Sequence, residues 1–133
     1  MILVDTSVWI DYFNGNNNRA TDSLDDLLVE GTVAIGDLIY LEILQGIRND
    51  GDYRTVKSRL TALTIYELFG IDAVERCAKS YRTLRKKGAT VRKTADVIIA
   101  SFCIHHEIPL LFLDKDFIPF VQILGLRSVL KTR

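Results

Sequence analysis

Short apolar runs alternate along this chain with longer stretches in which apolar residues recur every three or four positions. The runs at 2–4, 33–35 and 109–113 predict buried strands, and a weaker run at 63–65 predicts another. The stretches between these runs have helical spacing. Strands that alternate with helices are typical of an α/β fold with a largely parallel sheet. The pattern therefore predicts that the chain is an α/β protein.

Local signals predict where some helices begin. Thr6 or Ser7 is expected to cap a short helix over residues 6–13. Asp72 and Glu75 have the spacing of a capping box at the start of a later helix.

The C-terminal part predicts a short helix from about 117 to 124 and a last strand over 126–130. Neither an internal repeat nor a linker interrupts the pattern, and 133 residues suffice for one shared hydrophobic core. We therefore expect a single domain over residues 1–133.

Composition narrows the classes of protein that the chain can belong to. Apolar residues make up 48% and charged residues 26% of the chain, which is ordinary for a globular protein. No apolar run approaches the roughly 18 residues of a membrane span, and residues 1–5 lack the basic lead of a signal peptide. The two cysteines, Cys77 and Cys103, form no CxxC motif. We therefore expect a protein of the reducing cytoplasm that is not membrane-bound.

The charges of the chain balance, with 17 basic and 17 acidic residues. A domain that holds nucleic acid by bulk positive charge alone usually has a pI above about 9. Nucleic-acid binding by this chain would therefore depend on where its charges lie.

Two of the predicted strands are followed directly by an aspartate. Asp5 follows the run at 2–4, and Asp114 follows the run at 109–113. Because the carboxyl ends of parallel strands line the ligand crevice of an open sheet, we expect the two side chains to meet there. For either aspartate alone, capping of the next helix is the alternative.

Two further acids lie on predicted helices beside apolar residues. Glu42 is at the margin of an apolar face, where it is either drawn inward or points to solvent. Asp96 lies in the first turn of a helix, a position that the helix dipole alone would explain. Like Asp5 and Asp114, both lie on elements that are expected to converge.

A cluster of four such carboxylates needs protons or cations to exist. Two carboxylates about 4 Å apart repel by roughly 4 kcal/mol at an effective dielectric constant of 20. A ligand set made only of oxygen suits Mg²⁺ or Mn²⁺ rather than zinc. The adjacent His105 and His106 match no zinc-ligand spacing. The sequence therefore predicts a site for Mg²⁺ or Mn²⁺.

Four short motifs around these acids resemble those of PIN-domain ribonucleases, in particular VapC-type toxins of type II toxin–antitoxin pairs. The motifs are VDTSVWID at 4–11, LEILQG at 41–46, TADVIIA at 94–100 and LDKDF at 113–117. Their order and spacing extend the resemblance over essentially the whole chain.

The resemblance implies a three-layer PIN-like fold, with a central, mostly parallel sheet of four to five strands flanked by helices. It also implies that the catalytic and metal-binding acids are Asp5, Glu42, Asp96 and Asp114. Asp116 is then either a fifth ligand or the cap of the last helix, and capping is the favoured interpretation. Phe112 occupies a position where the family often has Thr, Ser or His.

The function implied by the resemblance is that of an endoribonuclease that depends on Mg²⁺ or Mn²⁺ and leaves a 5′-phosphate and a 3′-hydroxyl. The implied partners are an RNA substrate, a second copy of the chain in a homodimer, and a cognate VapB-type antitoxin whose tail fills the acidic groove. Thr6 and Ser7 offer hydroxyl groups near the metal and are candidates for contact with the RNA substrate, and helix capping is the alternative for them.

Basic residues precede the third acidic motif. The net charge is zero, so setting aside the five acids of the proposed site (the four above and Asp116) leaves 12 acidic against 17 basic residues in the rest of the chain. Arg85, Arg92 and Lys93 lead into Asp96 and are candidates for contact with RNA phosphates. A solvated helix end is the alternative for this stretch.

Two other functions are the alternatives to a ribonuclease, and features of the sequence disfavour both. A catalytically silent PIN-like domain that only binds protein or RNA has no reason to retain four mutually repelling acids. A receiver-like phosphoacceptor domain would have paired acids after its first strand, where this chain has Thr6 and Ser7.

Overall fold

The computed structural model describes residues 1–131, so the last two residues of the predicted 1–133 domain lie outside the described part. The described chain forms four strands, seven α-helices and one 3₁₀ helix. In order they are β1 (Ile2–Val4), α1 (Thr6–Phe13), α2 (Arg19–Glu30), β2 (Val33–Gly36), α3 (Asp37–Gly46), α4 (Asp50–Thr61), β3 (Thr64–Tyr66), α5 (Ile71–Lys86), α6 (Thr94–His106), β4 (Leu110–Leu111), the 3₁₀ helix (Lys115–Phe117) and α7 (Ile118–Leu124).

The four strands form one parallel sheet in the order β3-β2-β1-β4. In the centre, Leu3 of β1 pairs with Ala34 of β2 on one side and with Leu110 of β4 on the other. The predicted parallel α/β architecture is confirmed, with four strands. All carboxyl ends of the strands therefore lie at one edge of the sheet.

Helices cover both faces of the sheet. The crossovers from β1 to β2 and from β2 to β3 run in one direction along the sheet, and the crossover from β3 to β4 runs back. Because parallel crossovers are right-handed, α1–α4 lie on one face and α5 and α6 on the other. The packing agrees, since α1 contacts α2 and α3 whereas α5 contacts α6 and α7. The fold thus has the three layers that were predicted.

The hydrophobic core lies between these layers. Leu3 and Ile35 of the sheet are fully buried, as are Leu24 and Ile39 on one side and Leu84 on the other. Strands that are buried on both faces need apolar residues at successive positions, which explains the continuous apolar runs.

Of the predicted strands, one is shorter in the structure and another is reduced to a single bridge. β4 comprises only Leu110–Leu111, because β1 ends at Val4 and leaves the residues beyond Leu111 without a strand to pair with. The predicted strand over 126–130 is not formed. In the described part of the chain it makes a single parallel bridge to β4, between Ser128 and Leu110, and the backbone N–H of Leu126 donates to the carbonyl oxygen of Phe120 in α7.

Two helices begin differently from the prediction. Asp5, not Thr6 or Ser7, occupies the cap position of α1, and its side chain makes no capping hydrogen bond. The capping box of Asp72 and Glu75 is not formed, because α5 already begins after Gly70. Gly70 has a φ of 152°, a conformation that other residues rarely adopt, and this turn starts the helix early.

Within residues 1–131, no helix combines the length and the apolar character needed to cross a bilayer.

Candidate metal centre

Four of the predicted acids line one cavity at the carboxyl edge of the sheet, which we call the acid cavity. It has a volume of about 260 Å³. The residues that line it are Asp5, Thr6, Ser7, Ile10, Glu42, Gln45, Lys93, Asp96 and Asp114. They come from α1, α3 and α6 and from the segments that follow β1 and β4, so the site forms only when these distant parts of the chain have folded together.

Asp5 and Asp114 meet because they follow neighbouring parallel strands. The backbone N–H of Asp5 donates to the carbonyl oxygen of Leu111 at 2.9 Å, which continues the β1–β4 ladder to the edge. Asp5 is 5% exposed, and its Oδ2 accepts a hydrogen bond from Ser7 Oγ at 2.7 Å. Asp114 Oδ1 accepts from the backbone N–H of Asp116 at 2.9 Å. Asp114 therefore caps the 3₁₀ helix and lines the cavity at the same time.

Glu42 reaches the cavity from α3. Its side chain is half-buried, and its Oε1 accepts a hydrogen bond from Thr6 Oγ1 at 2.8 Å. This bond ties α3 to the first residue of α1, next to Asp5. Glu42 thus turns towards the other acids and not outward into solvent.

Asp96 lies in the first turn of α6 and is 7% exposed. Its Oδ2 atom is buried and has no hydrogen-bond partner. Leaving a buried acceptor without a partner costs free energy, roughly 1–3 kcal/mol and more for a charged group. A bound proton or cation would recover that cost.

Asp116 belongs to the same acidic group. One carboxylate oxygen from each of Asp96, Asp114 and Asp116 can be chosen so that the three lie within 4.8 Å of one another. Oxygens that bind one Mg²⁺ at about 2.1 Å are at most about 4.2 Å apart, so a small side-chain movement suffices. The favoured prediction that Asp116 caps the last helix is wrong. Asp114 is the cap of the 3₁₀ helix, Asp116 lies inside it, and Phe117 precedes α7.

Burial and crowding make two of these carboxyl groups harder to ionise. The pKa of Asp5 and that of Asp96 are each raised from 3.8 to about 6, and desolvation by burial is the main cause. The charge of Asp114 raises both pKa values further. The hydrogen bond from Ser7 opposes the shift at Asp5, and the positive charge of Lys93 opposes it at Asp96.

These features fit a divalent cation. The donors are all carboxylate oxygens, which suit Mg²⁺ and Mn²⁺. The buried, unpartnered oxygen of Asp96 lies among them, and Asp5 and Asp96 both have raised pKa values. A bound cation would favour the ionised form of both carboxyl groups and would compensate the charges of the neighbouring aspartates.

The predicted RNA-contacting residues do not all lie together. Thr6, Ser7 and Lys93 line the acid cavity. Arg85 lines a different cavity, where its guanidinium carbon lies 5.6 Å from the centre of the Tyr81 ring. Arg92 is exposed and precedes Lys93 in the chain. The structure thus associates only Lys93 of the three basic candidates with the acids.

Phe112 is a buried core residue that does not line the acid cavity. It is 4% exposed, and its ring centre lies 5.2 Å from that of Phe117. This packing accounts for an aromatic residue at a position where the family often has a polar one.

Two residues that line the acid cavity were not predicted from the sequence. Ile10 lies three residues after Ser7 on α1, and Gln45 lies three residues after Glu42 on α3. Residues at this spacing share a helix face, and that spacing was the available signal.

The fold and the site define a parallel α/β domain whose ligand crevice lies at the carboxyl ends of its strands, and here that crevice carries carboxylates of the kind that suit a divalent cation. The family model described as PIN domain matches residues 2–120. A VapC ribonuclease of Mycobacterium bovis and ribonuclease VapC11 of Mycobacterium tuberculosis are each 31% identical to this chain over 130 residues, covering 96% of it and 97% of their own length. The chain therefore belongs to the PIN domain family and, within it, to the VapC ribonucleases.

Solved structures share the fold at lower sequence identity. VapBC2 from Rickettsia felis, solved bound to a DNA fragment from its promoter, has a TM-score of 0.75 at 20% identity and covers 96% of this chain and 97% of that one. FitAcB from Neisseria gonorrhoeae has a TM-score of 0.71 at 18% identity and covers 96% of each chain. The predicted PIN-like fold is confirmed.

Proposed function

We propose that this chain is a VapC-type toxin whose acid cavity cleaves RNA internally with Mg²⁺ or Mn²⁺. The observation that carries the proposal is the convergence of Asp5, Glu42, Asp96 and Asp114 on one cavity in a member of a ribonuclease family. Asp116 is proposed as a fifth acid, because its carboxylate lies within reach of those of Asp96 and Asp114.

The side chains have distinct proposed roles. Asp96 and Asp114, together with Asp5, would hold the cation, and the buried, unpartnered Oδ2 of Asp96 would supply one of its oxygen ligands. Thr6 holds Glu42 in position and Ser7 holds Asp5, so both hydroxyl groups orient acids. Lys93 at the cavity wall offers a positive charge to the phosphodiester.

The proposed reaction is hydrolysis of a phosphodiester bond. A bound divalent cation lowers the pKa of water and neutralises charge on the phosphate. The oxygen of a water molecule forms a bond to phosphorus while the bond between phosphorus and the 3′ oxygen breaks. The leaving 3′ oxygen takes up a proton, and the water loses one. The products then carry a 5′-phosphate and a 3′-hydroxyl.

A cognate VapB-type antitoxin is the proposed protein partner, with its tail in the acid cavity. VapBC2 from Rickettsia felis and a toxin–antitoxin complex from Klebsiella pneumoniae share the fold. A cavity lined by four carboxylates would accept a cationic side chain of such a tail.

A second copy of the chain is the other proposed partner, and α5 offers a face for it. Ile71, Val74 and Tyr81 of this helix are 85%, 40% and 38% exposed. Glu75 and Arg82 flank them on α5. An antiparallel α5–α5 pair with its twofold axis midway between Glu75 and Arg82 would bring each glutamate opposite the arginine of the other copy.

We further propose that residues 1–133 form one domain that acts in the cytoplasm. The free cysteines Cys77 and Cys103 are both buried, which suits a reducing compartment, and RNA is present there.

The test is cleavage of a mixed single-stranded RNA with Mg²⁺, with Mn²⁺ or with EDTA. The wild type should cut with either metal ion and stop with EDTA, and the new ends should carry a 5′-phosphate. Asp96→Asn and Asp114→Asn should eliminate cutting, whereas Asp26→Asn, at an exposed position on α2, should not. A wild type that binds RNA but never cuts it would instead be the catalytically silent domain.

A further inference from the structure

A second cavity lies next to the fourth acid, and we call it the basic cleft. It has a volume of about 360 Å³. Arg19, Lys115 and Lys131 line it together with the hydroxyl-bearing Ser128. None of the described residues that line it is acidic. Its charge is thus opposite to that of the acid cavity.

The basic cleft is assembled from three distant parts of the chain. Arg19 is the first residue of α2, Lys115 follows β4, and Lys131 lies in the C-terminal segment. Arg19 Nη1 donates a hydrogen bond to the carbonyl oxygen of Lys131 at 3.2 Å. Because this acceptor is neutral, the bond fixes the guanidinium in place without cancelling its charge.

The two cavities share one short segment. Leu113 and Lys115 line the basic cleft, and Asp114 between them lines the acid cavity. Consecutive Cα atoms are about 3.8 Å apart, so the cleft begins within a single residue of the candidate metal site. An RNA strand that binds at the acid cavity could therefore reach these cations with an adjacent nucleotide.

RNA at the acid cavity brings phosphates next to a group of carboxylates, and nearby cations are needed to offset that repulsion. Arginine and lysine bind phosphate through charge-assisted hydrogen bonds. The half-buried side chains of Ile118 and Leu130 add an apolar wall that suits a ribose or a base. The cleft volume is in the range of sites that hold small ligands, which suits one nucleotide.

We propose that the basic cleft binds a phosphate of the RNA strand adjacent to the one that is cleaved. This inference rests on the proposed ribonuclease function and adds a binding site on the β4 side of the acids. It also differs from the sequence prediction, which assigned RNA contacts to the stretch containing Arg85. That residue lines a separate cavity beside α5.

The test measures binding apart from cleavage. The Asp96→Asn protein, which should not cut RNA, serves as the parent. It is titrated into a fluorescein-labelled oligouridylate of ten nucleotides, and the fluorescence anisotropy of the RNA is measured at several salt concentrations. Lys115→Gln with Lys131→Gln removes two charges from the cleft, and both side chains are exposed, so folding should be retained. The matched control, Lys57→Gln with Lys79→Gln, removes two charges from exposed positions on α4 and α5.

The variant with both cleft lysines replaced (the cleft pair) should bind about tenfold more weakly at low salt, and the slope of log affinity against log salt should fall by about 0.7, the value for one phosphate contact on a single strand. The control pair should change neither value as much. Equal effects of both pairs, or no binding by the parent protein, would overturn the proposal. A polyglutamate peptide of ten residues should displace the labelled RNA less well than unlabelled RNA does. Equal displacement would also overturn the proposal and would assign the cleft to an acidic protein segment.

The outcome for the cleft is separable from that for the active site. If RNA is cut normally and the cleft pair binds like the parent, the cleft assignment fails and the ribonuclease proposal stands. If the cleft pair weakens binding but no metal ion supports cutting, the active-site proposal fails and the cleft stands as an RNA-binding site.

Discussion

Thr6 and Glu42 are joined by a hydrogen bond of 2.8 Å from the threonine hydroxyl to the glutamate carboxylate. The two residues belong to α1 and α3, which pack against each other on one face of the sheet. The hydroxyl therefore sets the position of a proposed acid without being a proposed ligand itself.

Thr6→Ala should weaken Mn²⁺ binding roughly tenfold, because groups that orient metal ligands typically contribute 10–100-fold to affinity. Isothermal titration calorimetry with Mn²⁺ measures this effect. Thr6→Ser keeps the hydroxyl and should bind like the wild type. Equal affinities for all three proteins would mean that Glu42 does not depend on this bond.

The metal-free protein should lose stability as the pH rises from about 4 to about 6. The pKa values of Asp5 and Asp96 are near 3.8 in the unfolded chain and about 6 in the folded one, so the folded state binds more protons in this window. Their contribution to stability is therefore greatest at low pH and is lost as each group ionises.

Thermal unfolding in EDTA should show this effect as a melting temperature several degrees lower at pH 7.5 than at pH 5. The variant with Asp5→Asn and Asp96→Asn should lose most of this dependence, as should the wild type with saturating Mn²⁺. A double variant that retains the full dependence would show that other groups cause it.

Gly36→Ala should destabilise the protein by about 1–3 kcal/mol, the usual cost of overpacking a core. A Cβ atom at Gly36 would lie 2.3 Å from Cδ1 of Leu68, which is 2% exposed. Urea unfolding gives the change in the free energy of unfolding. Gly46→Ala is the control, because a Cβ there meets nothing within 4 Å.

The clash at Gly36 can be tested by making room for the new methyl group. Leu68→Ala should lessen the cost of Gly36→Ala, so the double variant should be more stable than the sum of the single effects indicates. Strict additivity would locate the cost elsewhere.

Val74→Glu should convert a dimer to a monomer, because it introduces two like charges into the proposed α5–α5 contact. Size-exclusion chromatography with light scattering measures the mass. Val29→Glu introduces the same charge on α2, where the valine is 91% exposed, and should leave the dimer intact. Dimers of unchanged mass in both variants would place the interface elsewhere.

The apolar runs of β1, β2 and β4, which are buried, alternate with helical spacing and predicted the parallel α/β class, and the resemblance to PIN domains implied the three layers. Asp5 directly follows β1, and Asp114 ends the apolar run that contains β4, so both could be recognised as candidate acids. Pairing was harder to predict. The length of β4 depends on where its partner β1 ends, and the residues at 126–130 make only one bridge to β4, at Leu110, while Leu126 bonds to Phe120 of α7.

The role of Asp116 and the location of the basic cleft depend on distances between elements. The interpretation of Asp116 as the cap of the last helix failed because Asp116 lies inside the 3₁₀ helix and Phe117 occupies the cap position of α7. Arg19 and Lys131 are far apart in sequence and become neighbours only through tertiary folding. No local spacing carries that information.

The central position of β1 makes assembly of the acid cavity a late event. Because β1 pairs with β4, Asp5 gains its neighbour Asp114 only after residue 114 has been synthesised. A chain that ends before residue 110 has no β4 and lacks the carboxylates of Asp114 and Asp116. Such a fragment therefore cannot form the acid cavity on which the proposed activity depends.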